Sequence, residues 1–176
     1  DYAEITFHKF ADELEAKDAA GQYAFGAAEN EKHRVTWEGI AVWTYLGATF
    51  KGLKNVGSVM TGSAYPGLWS LVYTPGDLES MAEAYTNVYI NTCGSNRYEE
   101  FYKVVSNSKS DGMVLHLNRS CKLMGLLNNE GAEYVNAKMG IPFVSFDGDQ
   151  THPNVFSQAQ YETRVQALSE MMDNNK

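Results

Sequence analysis

Cysteine is scarce in this chain. Its 176 residues hold two, Cys93 and Cys121, with no CxxC pair and no Cys/His cluster. That excludes a disulfide scaffold and a self-contained zinc site. Positive charge is also short: 14 Lys and Arg stand against 22 Asp and Glu, for a net charge of −8. Nucleic-acid binding needs a basic footprint that neutralises phosphates. None is present, so no nucleic acid is expected as a partner. A small phosphorylated ligand needs only a few local cations and stays open. No apolar run approaches the roughly 18 residues of a membrane span, so no membrane partner is expected. The opening Asp1-Tyr2-Ala3-Glu4 has no signal-peptide pattern. The expectation is a cytoplasmic, thiol-reduced protein. Neither a Walker motif nor GxGxxG occurs. Ser63 lacks the GxSxG elbow of a hydrolase serine.

What is present is an ordinary globular composition, 44% apolar and 20% charged, on a length that suits one domain and a small appendage. Ile5, Phe7, Phe10, Ala11 and Leu14 form a helical stripe over residues 5–17. Residues 18–33, including Glu29-Asn30-Glu31, are small and charged and suit a surface connection. Residues 1–32 are therefore expected to be a helical lead-in and connection, ahead of an α/β domain over 33–176.

In that domain short β-rich runs alternate with helical segments. The strand candidates are Arg34–Glu38, Gly57–Thr61, Gly112–Leu117 and Ile141–Phe146. Such short apolar runs suit a parallel sheet buried on both faces. Helices are predicted from about Val42 to Leu53, after Asp77 as cap, over Asn96–Val105, and over Leu123–Met139 up to the stop at Gly140-Ile141-Pro142. A last helix follows Ser157, with Tyr161, Val165, Leu168 and Met172 on one stripe. The fold expected is α/β, a four-stranded parallel sheet with flanking helices, built from βαβ units.

Ligands of open parallel sheets sit beyond the carboxyl ends of the strands. The residues there carry most of the unusual chemistry. Cys121 follows a strand and opens a helix, beside Arg119 and Lys122. A helix start and two cations favour thiolate, the form that attacks electrophiles or binds metal. Its plainer reading is a small buried apolar residue. Cys93 reads as a loop thiol between two helices. His116 ends an apolar strand, as a base or as a satisfied core histidine. Glu38 is a general base, a ligand or a helix cap. Thr61-Gly62-Ser63 is small enough for its N–H groups to approach a phosphate. Asp147 and Asp149 suit either Mg²⁺ with phosphate oxygens or an Asp-Gly-Asp turn. Trp37, Trp43 and Trp69 are expected in the core or a pocket wall.

Several of these segments together carry a family resemblance. Trp37-Glu38-Gly39-Ile40, Met60-Thr61-Gly62-Ser63-Ala64-Tyr65-Pro66, Asn118-Arg119-Ser120-Cys121-Lys122-Leu123-Met124 and Phe146-Asp147-Gly148-Asp149 occur in that order. Phe156 to Arg164 follows, with Gln160, Glu162 and Thr163. From about residue 33 onward the chain resembles the carboxy-terminal part of the α subunit of the 2-hydroxyacyl-CoA dehydratase family, 2-hydroxyglutaryl-CoA type. Benzoyl-CoA reductase subunits are related.

The resemblance implies a flavodoxin-like domain of a larger subunit that pairs with a β subunit. It implies a [4Fe–4S] cluster held by three cysteines of the α subunit. Cys121 matches the last of these, and the others lie in an amino-terminal half. It implies a separate ATP-dependent activator protein that delivers one electron. A ketyl radical of the acyl-CoA thioester then forms, and the product is an enoyl-CoA. Thr61, Gly62, Ser63, Arg119 and Lys122 would line the acyl-CoA pocket. Glu38 and His116 remain the candidates for proton chemistry. Cys93 matches no family cysteine. With one credible ligand of the three, the chain by itself is expected neither to hold the cluster nor to run the reaction. Its start at Asp1, without Met, fits truncation or processing. Two other classes of function stand beside this one: a CoA- or nucleotide-binding module without chemistry, and a subunit-interface scaffold using the 11 Tyr and 7 Met.

Overall fold

Met113-Val114-Leu115, an apolar run in the middle of the chain, becomes the centre of a parallel sheet. In a computed structural model, which describes residues 2–26 and 30–175, this run lies in β3 (Gly112–Asn118). β1 (His33–Glu38) pairs on one side of it and β4 (Phe143–Gly148) on the other, and β2 (Ser58–Ser63) lies outside β1. All pairings are parallel, in the order β2-β1-β3-β4. That is the opening of the flavodoxin-like order, whose switch point falls between the first and third strands. Asp1 of the chain's opening and Glu29 of the expected connection lie outside the described residues.

The chain divides into two units, Asp1–Lys32 and His33–Lys176. The first contains α1 (Tyr2–Ala19), which buries none of its side chains. Its Ile5, Phe10 and Leu14 stripe forms on the helix and is exposed.

In the second unit the two-residue period of the strands sorts the core. Val35, Trp37, Val114, Val144 and Phe146 pack with Tyr161, Val165, Leu168 and Met172. The latter four lie on α7 (Gln158–Asn174), which shares this face with α2 (Leu46–Asn55). Met113 and Leu115 pack on the other face with Phe101, Val105, Ala132 and Val135. Those come from α4 (Gly94–Asn107) and α6 (Asn128–Met139). Sheet and two helical layers make the three-layer α/β fold.

The expected caps form. Asp77 accepts the amides of Glu79 and Ser80 at 3.0 and 3.1 Å to start α3 (Leu78–Asn87), and Ser157 accepts that of Gln160. Gly140 ends α6 at φ +73.

Four boundaries differ from expectation. A 3₁₀ turn over Trp43–Tyr45 precedes α2. β2 extends through Ser63, so Thr61-Gly62-Ser63 lies in the strand and not in a loop after it. β4 begins at Phe143, because Pro142 has no N–H to give a ladder. The single helix expected over 123–139 is two: α5 (Lys122–Leu126) and α6, parted at Leu127.

Candidate functional site

The Cys121 loop joins β3 to α5 and is held from its own strand and from β4. Asn118 ends β3 with its side chain buried, and its Oδ1 accepts the amides of Ser120 and Gln150 at 3.4 and 3.2 Å. The Arg119 amide donates to Gly148 O at 3.0 Å, and the Cys121 amide donates to Asn118 O at 3.3 Å. Ser120 donates its hydroxyl to Asp149, whose other oxygen accepts the amides of Thr151 and His152, both at 2.9 Å. The Ser120 hydroxyl, followed by those amides, holds the Asp149 carboxyl below the usual carboxylate range. Half-buried Cys121 packs against the core on the α4/α6 side of the sheet.

α5 has five residues, so few peptide dipoles align behind Cys121. The Arg119 guanidinium pairs with Asp147 at 3.2 Å, both side chains more than half exposed. Such a pair contributes little stability. Lys122 is exposed at the same edge. Asp149 is fully engaged by Ser120 and backbone amides, and Asp147 by Arg119. Asp147 thus lies within β4 and Asp149 just after it, each paired within the chain.

Beneath the loop lies a buried polar group that the sequence reading largely missed. Glu38 (1% exposed) and Arg97 (3% exposed) approach to 3.3 Å. Glu38 Oε1 also accepts the Tyr89 hydroxyl at 2.7 Å, and Oε2 has no partner among the described residues. Burial pushes the Glu38 carboxyl up, against the opposing pull of Arg97 and Tyr89. Burial and the Glu38 charge push the Tyr89 hydroxyl up, so it stays a donor. Arg97 donates onward to Leu123 O at 2.6 Å, to Met124 O at 3.3 Å and to Asn128 Oδ1 at 2.8 Å. Its guanidinium lies 4.9 Å from the Tyr89 ring centroid. A signal was present: Arg97, Phe101 and Val105 share the buried stripe of α4. An arginine on such a stripe calls for a buried anion.

His116 is fully buried. It stacks on Phe146 at 5.1 Å, and its Nδ1–H donates to Ile40 O at 2.5 Å. Burial pushes its pKa down, so the ring is neutral near pH 7. Gly39, at φ +101, lies so close to this strand that a Cβ would meet His116 O at 2.6 Å.

Thr61 donates its hydroxyl to Ser108 O at 3.1 Å. A Cβ on Gly62 would meet the Thr36 and Ser108 hydroxyls, both at 2.6 Å. The close approach at Gly62 thus serves internal packing. Ser63 Oγ accepts the Tyr65 amide at 3.3 Å. Ser63 also borders an apolar cavity of about 80 Å³ between the ends of β1 and β2 and helix α2, lined by Trp37, Leu53, Met60 and Tyr65. Trp37 is buried, while Trp43 and Trp69 are exposed. Cys93 is exposed at the cap of α4, its thiol pKa lowered by the Ser95 hydroxyl and then the Asn96 amide.

Among the described residues no three His, Cys, Asp or Glu side chains converge as a metal site. An iron–sulfur cluster seated at Cys121 would take its remaining thiolates from outside these residues. No helix among the described residues is long and apolar enough to cross a membrane.

Comparison with known proteins gives the geometry its context. The family model described as 2-hydroxyglutaryl-CoA dehydratase, D-component, matches residues 1–172. The match therefore begins ahead of residue 33, where the motifs start. The chain is 59% identical to the lactoyl-CoA dehydratase subunit alpha of Anaerotignum propionicum, over 99% of this chain and 42% of that protein. It is 41% identical to the (R)-2-hydroxyisocaproyl-CoA dehydratase alpha subunit of Clostridioides difficile, over 97% and 41%. It is 36% identical to the (R)-2-hydroxyglutaryl-CoA dehydratase subunit alpha of Acidaminococcus fermentans, over 96% and 35%. The chain thus spans well under half the length of these relatives. A family match over nearly every residue and identities far above background place it plainly: the chain belongs to the 2-hydroxyglutaryl-CoA dehydratase D-component family.

Proposed function

We propose that this chain is the carboxy-terminal, flavodoxin-like part of the α subunit of a (R)-2-hydroxyacyl-CoA dehydratase, and that Cys121 is one thiolate ligand of its [4Fe–4S] cluster. The 59% identity to a lactoyl-CoA dehydratase α subunit across 99% of the chain carries this reading. The loop geometry supports it. Cys121 sits half-buried at the strand-end edge, on a loop fixed by Asn118, Asp149 and Gly148. A fixed, partly shielded thiol suits a metal ligand, whose donors must hold their geometry.

The reaction proposed for the complete enzyme is loss of water from the acyl-CoA. The C2 hydroxyl leaves as hydroxide, a proton leaves C3, and the enoyl-CoA forms. A bound cluster would supply one-electron chemistry to the thioester, by way of a ketyl radical. The electron returns at the end, so the net change is one water. An ATP-dependent activator protein supplies that electron, and a β subunit completes the assembly. Within this chain Arg119, Lys122 and Ser63 are the groups at the edge best placed to meet the CoA ester. Thr61 and Gly62 shape the strand end behind them. Buried Glu38 and His116 hold the scaffold.

The test uses the whole α subunit assembled with its partner and reconstituted anaerobically. Cys121→Ser is expected to lower bound iron and abolish dehydration, while Cys93→Ser leaves both unchanged. Full iron and activity in Cys121→Ser would overturn the assignment.

A further inference from the structure

We propose that Arg97, neutralised by Glu38, is a positioning residue for Cys121: from α4 it grips the carbonyls of α5 and so fixes where the thiol leaves the edge of β3.

A helix leaves its last carbonyls without intrahelical partners. α5 has only five residues, so the carbonyls of Leu123 and Met124, its second and third residues, fall among the last four. The Arg97 guanidinium donates to both and also to Asn128 Oδ1 at the start of α6. Asn128 in turn donates its Nδ2–H to His116 O on β3. This arrangement accounts for the break at Leu127. The chain ends α5 on an arginine and restarts α6 on an asparagine tied to the sheet. Cys121 is then held at both sides. Its amide is anchored to Asn118 O, and the turn that follows it is clamped by Arg97.

A planar guanidinium with five N–H donors can serve several acceptors in fixed directions, which an ammonium cannot. Its charge is matched by Glu38, at the end of β1 beside the switch point. Stability alone does not explain the pair, because well-packed apolar residues commonly replace a buried ion pair without loss. What an apolar pair cannot supply is a set of donors aimed at the α5 carbonyls. Tyr89 completes the clamp, giving its hydroxyl to Glu38 and its ring face to Arg97.

The consequence for a cluster rests on the reading of Cys121 as a ligand, but the positioning itself is testable without metal. The experiment uses the whole subunit with its partner, prepared without iron under anaerobic conditions, in a Cys93→Ser background. The variants are Arg97→Lys and the apolar pair Glu38→Leu with Arg97→Met. Iodoacetamide alkylation of Cys121 and deuterium uptake over residues 121–127 are followed by mass spectrometry. Both variants are expected to lower the urea midpoint modestly, because buried acceptors lose their donors. They should accelerate alkylation and α5 exchange by about tenfold, the mark of a locally opened turn. Unchanged rates in Arg97→Lys would overturn the proposal. If the apolar pair does not fold, Arg97→Lys decides alone: acceleration confined to 121–127 supports positioning, and equal acceleration across β3 and α6 refutes it. Iron retained by Cys121→Ser would refute the ligand reading and leave the Arg97 result standing.

Discussion

Ser120 donates its hydroxyl to Asp149, so the residue before Cys121 is tied to the loop that leaves β4. The same carboxylate accepts the amides of Thr151 and His152. One side chain thus connects the carboxyl ends of β3 and β4 and shapes the approach to the thiol.

Asp149→Ala removes an acceptor from one hydroxyl and two amides. A lower urea midpoint is expected, with Asp149→Asn intermediate, because an amide oxygen keeps the two backbone bonds. The acid limb of stability should also change. The Asp149 carboxyl is held below its usual range, so its contribution is present above the unfolded pKa of about 4 and lost as pH falls further. The Asn variant should lose less stability than wild type in that range. An identical acid limb would mean that the Asp149 contacts carry no net stabilisation.

His116 predicts a second pH effect at a higher window. Its folded pKa lies below the ordinary histidine value because the ring is buried. The unfolded chain therefore takes up the proton first as pH falls, and stability drops from about pH 6.5 downward. His116→Gln, which has no proton to gain, should flatten that drop while losing some packing against Phe146. Urea midpoints between about pH 7.5 and 5, the span of a histidine titration, measure it. Parallel curves for the two proteins would refute the buried neutral imidazole.

Gly39→Ala is expected to be severe. The position has φ +101, and a Cβ there would meet backbone, His116 O, at 2.6 Å. Backbone cannot swing aside as a flexible side chain can. A loss on the order of 2–4 kcal/mol is expected from the added atom and the strained dihedral. Gly140 is the control. It also has positive φ, but open space surrounds it, so Gly140→Asn should cost under about 1 kcal/mol. Thermal melts of the two variants decide whether close approach or dihedral dominates.

Tyr161 anchors α7 to α2 by donating to Thr49 O at 2.8 Å from a buried position. Tyr161→Phe leaves that carbonyl without the bond and keeps the ring's packing on Phe146 and Phe156. A loss of about 1–2 kcal/mol is expected in chemical unfolding. A change near zero would mean that the Thr49 carbonyl finds another donor.

Sequence pattern alone determined the layered architecture. Runs such as Met113-Val114-Leu115 are apolar on both faces, and only a strand covered by helices on each side satisfies them. The α7 stripe and its Ser157 cap were legible for the same local reason. The Cys121 loop was legible because a thiol, two cations and two carboxylates cluster where strands should end, and because the ordered motifs carry a family resemblance. The tertiary structure decided what those residues do to one another. Glu38 meets Arg97 because β1 lies beside β3 and α4 crosses the same face. Arg119 meets Asp147, and Ser120 meets Asp149, because β3 pairs with β4. The single helix expected after Cys121 became two because an arginine from α4 reaches its carbonyls. Gly62 proved to be small for the sake of Thr36 and Ser108, which lie on other elements. Burial follows from local apolar periodicity, so it can be read along the chain. Pairing of polar groups depends on which distant segments become neighbours, and strand order sets that only when the chain folds.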